Sequence, residues 1–214
     1  MSTNINYWEQ VLQAPTPAYQ ELFDAERDCI RKHVKPGMNV LDIGSGDGRN
    51  MKTILEMTEH VTGVDHDPMA VQDALKNFSG YSSVKLVVGD ASKLPFGDET
   101  FDVVTFLMIL PNLDTQKQIA FNEASRIVKK DGLVILSTFS ETALDERMKV
   151  YKIVNVPIQR IEGTKVIFDK SLGANTSEQF SLEEIGIQAQ NAGLKVVETQ
   201  KVGKLAYVCV LRKV

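Results

Sequence analysis

A glycine-rich turn between an apolar segment and a helix-like segment constrains this chain more than any other feature. Residues 40–48 read VLDIGSGDG, and a helical pattern follows from Arg49 to Thr58. Glycine tolerates positive φ angles and lets a ligand approach the backbone, and the first turn of a helix carries N–H groups without helical partners. The segment therefore predicts a strand, a turn and a helix that hold a small polar ligand. Such a turn can also serve only to change the direction of the chain.

Two further strand-like segments end in a carboxylate, as the first one does at Asp42. Residues 61–65 read VTGVD and residues 84–90 read VKLVVGD, so Asp65 and Asp90 close them. Because the carboxyl ends of parallel strands form one crevice, we expect the three aspartates to converge there. Asp65 follows the first glycine of the turn by 21 residues, a spacing at which a carboxylate accepts hydrogen bonds from ribose hydroxyls. Each aspartate could instead be only a helix cap or a turn former.

The whole chain predicts an α/β fold. Strand-like and helix-like segments alternate up to Phe139, which is typical of a parallel sheet with helices on both faces. The last two strand-like segments, LKVVETQ and KLAYVCVLRK, are separated by a few residues around Gly203. So short a connection predicts an antiparallel hairpin at one edge of the sheet.

Five segments, in order, resemble class I S-adenosylmethionine-dependent methyltransferases of the small-molecule, type 11/25-like group. They are VLDIGSGDG at 40, GVDHDP at 63, VVGDASKLPF at 87, FDVVTFLMILPNL at 101 and EASRIVKKDGLVILSTF at 123. A weaker similarity follows in FSLEEIGIQAQNAGLKVVET at 180. The resemblance implies a doubly wound, Rossmann-like sheet of seven strands, mostly parallel, with an antiparallel C-terminal strand. It also implies S-adenosylmethionine as the methyl donor and S-adenosylhomocysteine as the product.

On this basis we expect residues 1–214 to form a single methyltransferase domain with four parts. These are an N-terminal helical cap (1–34), a cofactor-binding core (35–139), a substrate-side insertion (140–179), and a C-terminal helix with a closing hairpin (180–214). The insertion would cover the open edge of the cofactor site, with a helix followed by a small hairpin that turns at Glu162 and Gly163.

The resemblance implies nine cofactor-binding residues at the ends of the first four strands. They are Asp42, Gly44, Ser45, Gly46, Asp65, His66, Asp90, Ala91 and Leu107. The glycine turn would line the methionine part of the cofactor, with the first aspartate beneath it. The two residues at the end of the second strand would meet the ribose, and the pair after the third would bind the adenine. The main-chain carbonyl of the leucine would hold the cofactor's amino group.

A nicotinamide dinucleotide is the competing cofactor, because it uses the same strand, turn and helix. Its G-x-G-x-x-G pattern, counted from Gly44, would need a glycine where this chain has Arg49. A carboxylate such as Asp42 near the turn would also repel a pyrophosphate and suit a sulfonium-bearing ligand better. An NAD-linked oxidoreductase is therefore the less favoured alternative.

Composition limits the partners. The chain has 28 acidic and 24 basic residues and a formal charge of −4, whereas nucleic-acid-binding proteins usually carry excess Lys and Arg. We therefore expect a small-molecule acceptor rather than a nucleic acid. Only Cys29 and Cys209 are cysteines and no apolar N-terminal segment is present, which predicts a cytoplasmic protein without a membrane partner. The three histidines lack metal-ligand spacing, so we expect no metal site.

The sequence identifies no catalytic base. Relatives often place one in the loop after the fourth strand, and many carry a histidine pair where this chain has Pro111 and Asn112. Asn112 and Asp114 are candidates, although both also suit a turn and a helix cap. The aromatic residues of the N-terminal part are candidates for walls of the substrate pocket, with core packing as the alternative role. They are Tyr7, Trp8 and Tyr19.

These observations favour an enzyme that transfers a methyl group to an oxygen or nitrogen of a small molecule by in-line displacement. Such a reaction depends mainly on holding the nucleophile, the methyl carbon and the sulfur in line. A module that binds S-adenosylmethionine or S-adenosylhomocysteine without transferring the methyl group is the alternative.

Overall fold

A seven-stranded sheet and a separate three-stranded sheet organise the chain. The structure is a computed structural model that describes residues 10, 15–172 and 175–214. The helices are α1 (Pro17–His33), α2 (Arg49–Leu55), α3 (Pro68–Asn77), α4 (Lys117–Ile127), α5 (Leu144–Ile153) and α6 (Leu182–Asn191). The strands are β1 (Val40–Ile43), β2 (Val61–Asp65), β3 (Lys85–Val88), β4 (Phe101–Leu107), β5 (Val128–Phe139), β6 (Ile158–Glu162), β7 (Lys165–Phe168), β8 (Thr176–Glu178), β9 (Leu194–Val202) and β10 (Ala206–Lys213).

The large sheet has the strand order β3-β2-β1-β4-β5-β10-β9. Strands β1 to β5 are parallel to one another, and β10 is antiparallel to both of its neighbours, β5 and β9. This topology confirms the doubly wound, mostly parallel sheet with an antiparallel C-terminal strand. Register brings the carboxyl ends of the first three strands side by side, since Asp42 pairs with Gly63 and Asp65 pairs with Val88.

Apolar side chains fill a layer on each face of this sheet. One layer is formed with α1, α2 and α3, and includes Leu22, Ile30 and Met51. The other is formed with α4 and α6, and includes Phe121 and Ile185. Helices therefore cover both faces, and the ends of the strands are left to form a site.

Three element ends differ from the sequence pattern. Helix α2 ends at Leu55, because the N–H groups of Met57 and Thr58 both donate to the Ile54 carbonyl in a turn that closes the helix. Strand β3 stops at Val88, two residues before the aspartate that the pattern placed at its end, because the chain turns there. Strand β5 begins at Val128, earlier than the apolar run that predicted it.

Residues 140–179 form α5 and the small antiparallel sheet, in the order β6-β7-β8. The β6–β7 hairpin turns at the expected place, with Gly163 at a φ of +56°. Lys165 of β7 pairs with Asp114 in the loop after β4 at 2.7 Å and with Glu178 of β8 at 2.5 Å, and Lys117 of α4 also pairs with Glu178. These ion pairs tie the small sheet to the loop after β4.

A buried arginine joins α5 to the rest of the fold. Arg147 has no exposed surface, and its guanidinium stacks on the ring of Phe139 at 4.3 Å, at the end of β5. It donates hydrogen bonds to the Tyr151 hydroxyl, the Gln179 side-chain oxygen and the Ser177 carbonyl. One side chain therefore connects the end of β5, helix α5 and strand β8.

We expect Arg147→Met to lower the free energy of unfolding by about 2–4 kcal/mol, because it leaves several buried acceptors without a donor. Urea unfolding measures this change. Lys149→Met on the same helix is the control, since its ion pair with Glu146 is exposed and the substitution should change stability by less than about 0.5 kcal/mol. Equal losses in the two variants would contradict this view of Arg147.

In the described part of the chain, no helix is long and apolar enough to cross a membrane. Cys29 and Cys209 are both buried and unbridged, and burial raises the pKa of the Cys29 thiol to about 12. Neither thiol is poised to act as a nucleophile, because the thiolate is the reactive form.

Candidate functional site

The glycine turn is held against the end of β2 by main-chain hydrogen bonds. The N–H groups of Gly44 and Ser45 both donate to the Val64 carbonyl, at 2.7 and 3.1 Å. The Gly46 N–H donates to Asp65 Oδ2 at 2.8 Å. Gly44 and Gly46 have φ angles of +70° and +55°, which residues with a side chain adopt only with strain. The turn needs these glycines to lie across the end of the neighbouring strand.

Two carboxylates are oriented by their own turns. Asp65 Oδ2 accepts from the Gly46 N–H, and Oδ1 accepts from the Asp67 N–H at 2.9 Å and lies 3.2 Å from His66 Nδ1. Asp90 Oδ1 accepts from both the N–H and the hydroxyl of Ser92 at 2.7 Å. These two bonds hold the pKa of Asp90 below its usual range. The aspartates are therefore turn formers as well as groups positioned to meet a ligand.

Asp42 lies beneath the turn and is fully buried. Its Oδ1 accepts from the Thr105 hydroxyl at 2.6 Å, whereas Oδ2 has no hydrogen-bond partner among the described residues. Burial raises the pKa of Asp42 to about 7, and the bond from Thr105 opposes that rise. An unpartnered buried carboxylate oxygen is costly in free energy, so this atom is suited to a donor from a ligand or a water molecule.

The carboxyl ends of the strands open onto a cavity of about 640 Å³. Its walls are Ile43, Gly44, Val64, Asp65, His66, Gly89, Asp90, Ala91, Ile109, Asn112, Leu113, Gln116, Phe168, Leu172 and Asn175. Five of the nine residues expected to bind a cofactor are among them. The last three belong to the 140–179 segment, which therefore contributes to the cavity wall.

The remaining expected residues lie next to the cavity without lining it. The Ser45 hydroxyl is buried against Gly63, where a Cβ atom would lie only 2.8 Å from it. A Cβ atom on Gly46 would meet no atom within 4 Å, so its backbone faces open space. Leu107 ends β4 with a buried side chain. Its neighbour Met108 turns the chain with a φ of +56°.

The two catalytic candidates in the loop after β4 take different positions relative to the cavity. Asn112 lines the cavity, together with three residues that the sequence reasoning missed, Ile109, Leu113 and Gln116. Asp114 does not line it, and the hydrogen bond from Lys165 lowers the pKa of its carboxyl. Asp114 is therefore a paired carboxylate rather than a base that faces the cavity, and it does not cap α4.

The aromatic candidates take different places. Tyr7 and Trp8 lie outside the described residues. Tyr19 is fully buried and packs edge-on against the rings of Phe23 and Phe139, each at 6.2 Å between centroids. It does not line the cavity, so packing in the core is its observed role.

Charge in the cavity suits a cationic ligand. Asp65 and Asp90 are in the wall and Asp42 is beneath the turn, whereas no described lysine or arginine lines the cavity. Such a site would repel a pyrophosphate and attract a ligand with a sulfonium, an amino group and ribose hydroxyls. The open space at Gly46 and the carboxylates of Asp65 and Asp90 in the wall fit S-adenosylmethionine. Within the described ranges, no three His, Cys, Asp or Glu residues are grouped to hold a metal ion.

Several known proteins are similar to this chain. A demethylmenaquinone methyltransferase of Staphylococcus aureus is 32% identical over 123 residues, which cover 56% of this chain and 51% of the relative. The ubiquinone/menaquinone biosynthesis C-methyltransferase UbiE of Ectopseudomonas mendocina is 33% identical over 142 residues, which cover 64% and 55%. The chain thus spans about half the length of these curated relatives.

Solved structures show the same fold. A SAM-dependent methyltransferase of Methanosarcina mazei has a TM-score of 0.69 at 18% identity, over 87% of this chain and 97% of the other. The 1,6-didemethyltoxoflavin-N1-methyltransferase of Burkholderia thailandensis, solved with S-adenosylhomocysteine, has a TM-score of 0.68 at 17% identity, over 96% and 82%.

Family membership follows from the sequence match as well as the fold. The sequence model of the methyltransferase domain matches residues 34–195, which are well over half of the chain. The chain therefore belongs to the family of S-adenosylmethionine-dependent methyltransferase domains.

Proposed function

We propose that this domain transfers a methyl group from S-adenosylmethionine to a small-molecule acceptor. The observation that supports it most is that the glycine turn, Asp65 and Asp90 share a cavity with the loop after β4 and the 140–179 segment. The donor would occupy the end formed by the strands. The acceptor would occupy the space under the loop and the segment.

The residues present are suited to hold the donor. When bound, S-adenosylmethionine supplies a methyl group that its sulfonium already activates. Asp65 would accept hydrogen bonds from the ribose hydroxyls, and Asp90, with the Ala91 backbone, would bind the adenine edge. Gly44, Ser45 and Gly46 would approach the methionine part with main-chain groups, and the Leu107 carbonyl would hold its amino group. These proposed roles are the ones that the family resemblance implies for the same residues.

The acceptor end of the cavity is lined by uncharged side chains. Asn112, Gln116 and Asn175 offer carboxamides, and Phe168 and Leu172 offer apolar surface. Carboxamides can both donate and accept hydrogen bonds without attracting a phosphate. This lining supports a small acceptor with little charge, and it does not favour a nucleic acid.

Because the loop after β4 and the described part of the 140–179 segment contribute no histidine, carboxylate or lysine to the cavity wall, we propose an acceptor with an atom that is already nucleophilic. An oxygen or nitrogen is the acceptor atom that we propose. Carbon is the second candidate, because the Ectopseudomonas mendocina relative is named a C-methyltransferase. In both cases the protein would act mainly by orienting the acceptor and excluding water.

Calorimetry followed by a transfer assay tests the proposal. S-adenosylmethionine and S-adenosylhomocysteine should bind and NAD should not. Asp65→Ala and Asp90→Ala should each weaken binding by about 1–3 kcal/mol, because each removes a charged acceptor. Radiolabelled methyl transfer into a metabolite extract then identifies the acceptor. Binding without any labelled product would instead indicate a binding module, and absence of binding would exclude both.

Gly44→Ala should weaken cofactor binding by about tenfold or more. A Cβ atom there would lie 2.1 Å from Ile109 Cδ1, so Ile109 must move away from the turn. Gly37→Ala, in the turn between α1 and β1, is the matched control, because its φ is also positive, its Cβ would meet no atom within 4 Å and it does not line the cavity. Calorimetry with S-adenosylhomocysteine compares the two variants. A dissociation constant for Gly37→Ala at least as high as that for Gly44→Ala would show that a general effect of backbone strain, and not the contact with Ile109, decides binding.

Binding of the donor should strengthen as pH rises through neutrality. Because burial raises the pKa of Asp42 to about 7, its carboxyl is protonated below that pH and charged above it. A ligand with a sulfonium favours the charged form, so the dissociation constant of S-adenosylmethionine should fall on the order of tenfold between about pH 6 and 8. Asp42→Asn should remove this slope.

S-adenosylhomocysteine is the control ligand, since it has the same amino group but no sulfonium charge and should show a smaller slope.

The folding stability should depend on pH in the opposite direction. The raised pKa makes the native state bind more protons than the unfolded state, so the wild type should lose stability relative to Asp42→Asn as pH rises from about 4 to about 7. Parallel pH profiles of the two proteins would contradict the role of Asp42.

A further inference from the structure

A buried glutamate of α1 contacts two residues next to the turns that carry the cavity wall, Arg49 and Ser137. Glu26 has no exposed surface, although it lies on a helix face that otherwise packs apolar side chains such as Leu22 and Ile30. Its two oxygens accept from different parts of the fold. A buried carboxylate is costly unless it is paired and hydrogen-bonded, so the position of this one requires an explanation.

One oxygen of Glu26 binds the first residue after the glycine turn. Oε2 accepts from Arg49 Nη2 at 2.8 Å, and the same guanidinium stacks on the Phe23 ring at 4.3 Å. Arg49 begins α2, immediately after Gly48 with its φ of +94°. This pair therefore holds the end of the glycine turn against α1.

The other oxygen acts on the turn after β4 through a serine. Oε1 accepts from the Ser137 hydroxyl at 2.5 Å, and the Met108 N–H donates both to that hydroxyl oxygen and to the Ser137 main-chain carbonyl, each at 3.0 Å. Met108 has a φ of +56°, which is uncommon for a residue with a side chain and needs support from its surroundings. Because the Ser137 hydroxyl donates its hydrogen bond to Glu26, its oxygen is oriented to accept from the Met108 N–H.

The two turns that Glu26 supports come together at the cavity wall. Met108 is followed by Ile109, whose Cδ1 atom fills the place that a Cβ of Gly44 would take. Ile109 and Gly44 both line the cavity, whereas Glu26 and Arg49 do not. Moving either turn would therefore move the contact between these two wall residues.

We propose that Glu26 is a positioning residue for the methyl donor, acting through Arg49 on the glycine turn and through Ser137 on the Met108 turn. This inference rests on the proposed function, because the donor is the ligand that the crevice would hold. It assigns the N-terminal helix a role in donor affinity beyond covering the sheet.

The central variant is Glu26→Gln, which keeps the size of the side chain but removes its charge and one of its two acceptors. It should raise the dissociation constant of S-adenosylhomocysteine about tenfold, as expected for the loss of a charged hydrogen bond. The amide hydrogen of Met108 should also exchange faster with solvent, which NMR measures directly. Ser137→Ala should reproduce the faster exchange, because the Met108 N–H then keeps only its bond to the Ser137 carbonyl. The double variant should add little to either single variant, because both break the same link.

Two controls separate positioning from general stability. Glu56→Gln breaks another contact between α1 and the end of α2, the exposed Arg31–Glu56 pair at 2.9 Å, and should leave affinity unchanged. Leu22→Ala removes a fully buried side chain from the same helix and should lower the unfolding midpoint without changing affinity or Met108 exchange.

The outcomes distinguish the two proposals. Absence of binding by the wild-type protein would remove the proposed function itself. Wild-type binding with an unchanged dissociation constant in Glu26→Gln would overturn only the positioning role. That role would also fail if Leu22→Ala weakened binding as much as Glu26→Gln, because loss of stability would then be a sufficient cause.

Discussion

The contact between the glycine turn and the end of β2 is the interaction on which the site depends. Three consecutive N–H groups of the turn donate to Val64 and Asp65, which is possible only because Gly44 and Gly46 adopt positive φ angles. These bonds orient the Asp65 carboxylate and leave the backbone at Gly46 open. The cavity, its negative charge and the buried Asp42 beneath it all follow from the way this turn crosses the neighbouring strand.

Elements distant in sequence complete the site around that turn. The loop after β4 brings Ile109 against Gly44, and the 140–179 segment adds Phe168, Leu172 and Asn175 to the wall. Buried charges hold these additions in place, because a charge removed from water must find fixed partners. Arg147 joins the segment to the end of β5, and Glu26 joins α1 to both turns. Lys165 forms ion pairs that connect the small sheet to the loop after β4.

Local sequence patterns predicted the strands and the hairpin better than they predicted which side chains would be in contact. Short apolar runs that end in aspartate predicted β1 and β2, and a connection of a few residues around Gly203 predicted the closing hairpin, because strand pairing and turn geometry are local. Side-chain direction was less accessible. Tyr19 and Asp114 suited a pocket wall and a base by residue type, but one packs in the core and the other pairs with Lys165, which is 51 residues away in sequence.

By itself the sequence predicted the α/β class and the strands that carry the carboxylates, because glycine spacing and strand periodicity act over a few residues, and its resemblance to methyltransferases predicted the cofactor. Only the tertiary structure decided which residues share the cavity and which charges are buried. The pairs Glu26–Ser137 and Gly44–Ile109 join residues 111 and 65 positions apart, and contacts over such distances depend on how the helices and strands pack together.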